Sequence, residues 1–334
     1  MAVADVVAAA MLGALVLYAL TAGADFGGGV WDLFASGPRA GAQRKLIEQA
    51  IAPVWEANHV WLILVVVLLF TAFPPAFAAV SVALHVPMTL LLLGIVFRGA
   101  AFVFRQYGGG GERAERRWGR VFAVASVVTP FFLGVSLGAL TSGALRFERG
   151  VPEGGFFRPW IAPFPLSVGA FTLSLFAFLA AVYLTAEAED PLLRDDFRRR
   201  ALVSGLVVGA FALLAALTAA PGAVGFRARL FGCWWSWPLQ IATGLCATGV
   251  FAALILRRFR LARAVAAAQV ALIVVGWGAA QYPYLVAPGI TIQAAAAPDE
   301  TLRLLVLALA AGAIVLFPSL YVLLRVFKSR APGA

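Results

Sequence analysis

Two acids, Asp25 and Glu56, and two arginines, Arg98 and Arg105, stand inside otherwise apolar stretches of the chain. Asp25 lies in TAGADFGGGVWD (21–32), Glu56 in IAPVWEANHVWLI (51–63) beside Asn58 and His59, and the arginines in FRGAAFVFR (97–105). Ionisable groups at membrane depth are costly, and where they persist they mark ion or proton pathways. Burial raises a carboxyl pKa and a neighbouring guanidinium lowers it, so carboxyls in such a setting can exchange protons. Two compatible readings follow. Asp25 and Glu56 pair with Arg98 and Arg105 and stitch helices together, or the same groups conduct protons. Asp32 reads as an interfacial residue. Gly27, Gly28 and Gly29 read either as a small face that lets helices approach closely or as a turn. No lysine follows them, so they do not form a phosphate loop.

His59 and His85 are the only histidines. Haem iron in membrane helices is commonly held by His. If the two lie on antiparallel spans, a bis-His haem between them is geometrically conceivable, although lone histidines more often serve packing. Cys233 and Cys246 fit no CxxC or zinc spacing and read as buried packing residues.

The elements that must position these groups are membrane helices. Of the 334 residues, 62% are hydrophobic and 13% charged, and the mean hydropathy is +0.92. A soluble domain carries about 25% charged residues, so this composition cannot cover a water-facing surface. Apolar runs of about 20 residues cross the bilayer, and only the helix satisfies their backbone from within. Nine such runs are expected, over 6–34, 51–73, 76–104, 119–142, 161–187, 201–221, 234–256, 262–287 and 302–326, with Pro74 and Pro75 separating the second from the third. The first is read as a span rather than a removable leader. Trp55, Trp61, Trp118, Trp160, Trp234, Trp235 and Trp237 fall near span boundaries, where an aromatic belt sits.

Of the 26 basic residues, 19 fall in the odd-numbered loops and the C-terminus, six in the even loops or at a helix start, and one, Arg98, within a span. That bias predicts an outside N-terminus and a cytoplasmic C-terminus, and it supports the count of nine. It also explains the net charge of +10 as a topology signal facing anionic lipid headgroups. Nucleic acid is not an expected partner, since no basic module with interleaved aromatics is present. The loops are short, so any chemistry lies in the membrane or in a partner. A secondary transporter also uses intramembrane acids and is the alternative reading. The fifth to eighth spans hold few ionisable groups at depth, which argues against it.

TAGADFGGGVWDL, IAPVWEANHVWLI and FRGAAFVFRQY resemble the first three helices of subunit II of cytochrome bd-type quinol oxidases, and QYPYLVAPGITI resembles a later loop of that family more weakly. The resemblance extends to length, span count and orientation. It implies an all-α integral membrane fold of two four-helix bundles, here 1–145 and 160–288, plus a peripheral helix in 300–334. It implies that the haems and the quinol site belong to a partner subunit I, and that this chain binds no haem iron and supports the heterodimer. It also implies that the chain lines a path for cytoplasmic protons. Quinol and dioxygen would be substrates of the complex in a bacterial or archaeal cell membrane, and there is room for a structural quinone or lipid. Residue by residue, the family's acids map to Asp25 and Glu56, its arginines to Arg98 and Arg105, and its packing motif to Gly27, Trp55, Asn58 and Trp61. Some relatives carry further acids where this chain has Ala22 and Val103, and His59 occupies a variable position.

Overall fold

The computed structural model describes residues 2–51, 55–107, 111–148, 151–152, 155 and 157–329, with side chains described for these except 55–57, 106–107, 112, 148, 151–152 and 323–329. In chain order the helices are α1 (Val3–Leu33), α2 (Ala40–Ile51), α3 (Trp55–Ala72), α4 (Pro74–Ala83), α5 (His85–Tyr107), α6 (Gly111–Ser142), α7 (Pro163–Glu187), α8 (Pro191–Gly222), α9 (Val224–Gly232), α10 (Ser236–Ile255), α11 (Phe259–Gln281) and α12 (Asp299–Ser329). Two short antiparallel hairpins pair Phe147–Glu148 with Val151–Pro152 and Tyr284–Val286 with Ile290–Thr291. Eight helices among the described residues are long and apolar enough to cross a membrane. A bent pair, Asn58–Ala72 with Pro74–Ala83, makes up to nine. The protein is a multi-pass helical membrane protein.

The expected boundaries shift at three places. The third run does not begin at residue 76. Pro74 and Pro75 occupy the first turn of α4, which bends 117° away from α3, and the spanning helix starts at His85. Proline is tolerated in a first turn because its missing N–H is an orphan there anyway, so a new helix starts in a new direction. The eighth run ends at Gln281 rather than 287, where the second hairpin takes over. The loop before the second run contains α2. Its Gln43, Ile47 and Ile51 are buried at four-residue spacing while Arg44 and Lys45 face outward, which is the pattern of an amphipathic surface helix.

Helix α1 is the hub, and its glycines make it so. Gly27, Gly28 and Gly29 are helical, so successive residues point about 100° apart, and each admits a different neighbour. A Cβ on Gly27 would collide with the Phe176 carbonyl of α7. On Gly28 it would press on Ile51 of α2, and on Gly29 it would strike Ser126 of α6. Gly23 also faces α7, at Phe176 and Leu179, giving a small-residue stripe with Gly27 at four-residue spacing. The turn alternative for these glycines is therefore set aside. One apolar core runs across the molecule, from Tyr18 and Phe26 of α1 and Trp61 of α3 through Leu179 of α7 to Leu254 of α10 and Val270 of α11. Trp61 and Trp160 are buried in cores, whereas Trp234 and Trp237 are exposed. Cys233 and Cys246 are free and only half-buried, which corrects the expectation of full burial.

Candidate functional site

Among the described residues, every charged side chain that is fully buried belongs to α1 or α5: Asp25, Asp32 and Arg98. Asp25 and Arg98 form a bidentate pair, with Nη2 donating to Oδ1 at 2.5 Å and Nη1 to Oδ2 at 2.8 Å. Arg98 Nη2 also donates to the Asp25 carbonyl, and its Nε donates to Ser126 Oγ at 3.0 Å. The guanidinium lies against two rings, Phe26 and Phe122, each 4.7 Å from its centroid. A planar fork held by a carboxylate and faced by aromatics is what Arg, and not Lys, provides. Pro130 of α6 has no N–H, so the carbonyl of Ser126, four residues earlier, lacks its helical partner beside this pair.

Seven residues on, the arrangement repeats. Arg105 Nη1 lies 3.4 Å from both carboxylate oxygens of Asp32, and Arg44 of α2 reaches within 3.9 Å of the same group. Each pair joins residues 73 apart in sequence, as the same-sense order on two parallel helices requires. Seven residues are two helical turns, so the rungs lie about 10 Å apart on one stripe of α1 and one of α5. A cavity of about 10 Å³ opens at the outer rung, among Asp32, Arg44, Glu48 and Arg105 and the rings of Phe102 and Phe122. That is room for a single water.

The structure thus joins Asp25 to Arg98, as the first reading expected. It gives Arg105 to Asp32 rather than to Asp25, and Asp32 is a buried partner. Sequence reasoning missed Asp32 and Arg44. The signal for Asp32 was its seven-residue spacing from Asp25, matched by Arg98 and Arg105. The side chains of Trp55 and Glu56 lie outside the described residues. Asn58 is fully buried, Gly27 is the α7 contact described above, and Trp61 packs in the core. Ala22 is buried on α1, and Val103 lies on the exposed side of α5.

The two histidines do not come together. His59 sits near the start of α3, its ring edge-on to Phe26 with centroids 6.3 Å apart. His85 is the exposed first residue of α5, its Nδ1 3.2 Å from the Val82 carbonyl. Because α3 rises about 20 Å from His59 to Ala72 before α4 and His85 follow, the pair stands at opposite ends of the bundle. This chain's histidines do not fit an intervening haem iron. Among the described residues, no three His, Cys, Asp or Glu side chains gather as a metal site.

The second half differs. Its ion pairs lie at the rim, such as Arg263–Glu187 at 2.6 Å and Arg39–Asp196 at 2.7 Å. A largely apolar, half-open cavity of about 360 Å³ lies between α6, α7, α8, α9, α10 and α11, walled by Phe164, Phe171, Phe226, Ile273 and Trp277.

Glycine-packed helices with a ladder of acid–arginine pairs between two of them define a multi-pass membrane protein that holds charged groups at depth. The comparisons specify the family. Residues 3–327 match the family described as cytochrome bd terminal oxidase subunit II, and the chain belongs to it. It is similar to cytochrome bd-I ubiquinol oxidase subunit 2 of Escherichia coli K12, with 31% identity over 178 residues, which are 51% of this chain and 45% of that protein. The alignment thus spans less than half the length of that relative. A putative cytochrome bd menaquinol oxidase subunit II of Bacillus subtilis is 23% identical over 94% of this chain and 92% of its own. The bd oxidase structure from Geobacillus thermodenitrificans superposes with a TM-score of 0.83 at 22% identity, covering 99% of this chain and 100% of that one, and so has the same fold.

Proposed function

We propose that the chain is the haem-free subunit of a membrane oxidase that takes electrons from a quinol and reduces dioxygen to water. A haem-bearing subunit I carries the redox chemistry. This chain supports that subunit and brings protons to it. The observation that carries the proton role is the ladder: two buried acid–arginine pairs, about 10 Å apart, with a water-sized cavity at the outer rung.

Reduction of dioxygen consumes protons at a buried metal, so they must cross part of the membrane through groups that can take and release them. Asp32, held by Arg105, takes up the proton at the mouth. Asp25, held by Arg98, passes it inward, and Glu56 joins the same mouth from the start of α3. Arg98 and Arg105 hold the two acids in place through charge-assisted contacts.

The arginine-rich end, where α1 and α5 finish, is cytoplasmic in this reading, and the N-terminus is outside. The bent α3–α4 pair counts as one span, giving nine. The first four spans (1–145) form one bundle, the next four (160–288) a second, and α12 the peripheral helix of 300–334. The membrane is a bacterial or archaeal cell membrane. The apolar cavity of the second half is where a structural quinone or lipid tail would fit, and anionic lipids meet the basic rim.

The test is a tagged pull-down in mild detergent, with reduced-minus-oxidised visible spectra of the eluate and of the chain expressed alone. A haem-rich membrane partner, with a colourless isolated chain, is the expected result. A solitary, colourless protein would overturn the reading and favour the transporter.

A further inference from the structure

Eight buried side-chain N or O atoms lack a hydrogen-bond partner among the described residues, and four of them belong to Tyr18 of α1 and to the consecutive Asn58 and His59 of α3. These are the Tyr18 hydroxyl, both amide atoms of Asn58, and His59 Nδ1. Tyr18 and Asn58 are each 0% exposed. Three of the remaining four, on Asp195, Arg200 and Gln281, sit on side chains that make other polar contacts, and the fourth is Gln269 Oε1. No other ion pair among the described residues has such a set beside it. Buried polar groups are almost always satisfied, and an orphan group calls for an ordered water or a working role.

Their placement is specific. Tyr18 precedes Asp25 by seven residues, as Asp25 precedes Asp32, so all three share one stripe of α1. The Tyr18 hydroxyl and the His59 ring both lie within electrostatic range of Asp25 and Arg98. His59 meets the edge of Phe26, whose face carries the Arg98 guanidinium, and Asn58 adjoins His59 on α3. The polar stripe therefore does not stop at Asp25. It continues about 10 Å deeper, between α1 and α3, into an apolar core that contains Tyr18 itself.

We propose that Tyr18, Asn58 and His59 hold a buried water that carries protons onward from the Asp25–Arg98 pair, with the Tyr18 hydroxyl as a relay group. This rests on the proton-uptake reading above. Asn58 suits the task because its amide both donates and accepts, and His59 Nδ1 accepts when unprotonated. In the relay step the Tyr18 oxygen accepts a proton from the Asp25 side as its own O–H bond breaks toward the far side. Tyrosine is neutral before and after, no electron moves, and rotation of the hydroxyl resets it. A hydroxyl that serves only packing would have no reason to remain without a partner.

The test uses the whole two-subunit complex carrying Tyr18→Phe, compared with Asp25→Asn. Oxygen uptake with excess quinol, its ratio in light and heavy water, the haem spectrum and the melting temperature are read together. Tyr18→Phe is expected to slow turnover roughly tenfold, raise the solvent isotope ratio, and leave the spectrum and melting temperature unchanged or the latter slightly higher. Asn58→Leu, close in size, should slow turnover in the same way and serves if Tyr18→Phe does not assemble. Wild-type turnover in both Tyr18→Phe and Asn58→Leu, with Asp25→Asn slow, overturns this inference alone. Wild-type turnover in all three overturns the proton-uptake reading with it.

Discussion

The α1–α5 interface and the cavity among α6–α11 are both walled by apolar helices, yet they are built on opposite terms. The first keeps ionised groups dry, with Asp25 1% and Arg98 2% exposed. The second is a largely apolar opening, and the ion pairs of its half lie at the rim. Burying ions yields no general gain in stability. The desolvation cost usually cancels the attraction, and apolar replacements of equal shape are often neutral or better. A dry ion pair in one half, with no counterpart among the described residues of the other, is therefore weak evidence of stabilisation. The packing chemistry is shared, since glycines set the approach of α1 to α7 and of α6 to α7 alike.

The largest expected effect comes from breaking the dry pair on one side only. Arg98→Met leaves the Asp25 charge unpaired and should cost about 3–5 kcal/mol, read as a large fall in melting temperature in detergent. Adding Asp25→Leu should restore most of that stability and none of the oxygen turnover. If the double variant regains turnover, the pair is only structural. Next in size, Gly27→Val forces a side chain into the Phe176 carbonyl and should cost about 1–3 kcal/mol by pushing α1 from α7. A melting temperature at the wild-type value would show that this approach is not tight.

Smaller still is Ala216→Leu, which adds bulk at the wall of the second half's cavity. Stability should change by less than about 1.5 kcal/mol, and any quinone extracted with the complex should fall. Quinone at wild-type content would place it elsewhere. The smallest effect belongs to the rim. Asp196→Asn removes the partner of Arg39, a pair open to water and screened by salt. Melting temperature and turnover should both stay within experimental scatter.

How much of this was legible depends on the kind of information each feature needs. Membrane helices followed from composition and run length, and Asp25, Arg98 and Asn58 stood out because polar groups at depth are expensive. The choice of partners did not. Arg105 could have met Glu56, Asp25 or Asp32 until the direction and register of α5 beside α1 were known, and those are tertiary facts. The third span was placed too early because the α4 segment is as apolar as a span. Hydropathy does not distinguish a helix that crosses from one that turns by 117°. That misplacement alone brought His59 and His85 to one depth. Helix α2 was legible in Gln43, Ile47 and Ile51, and was passed over because its basic residues were counted only as loop charge.

The central claim is that the buried ladder delivers protons to an oxygen-reducing partner. It is tested most directly by reconstituting the complex in vesicles and recording proton uptake after an oxygen pulse, for wild type and Asp25→Asn. The account predicts that Asp25→Asn slows uptake and oxygen consumption together while the haem spectrum stays intact. Uptake at the wild-type rate in Asp25→Asn and in Asp32→Asn would contradict it and leave the ladder as scaffolding.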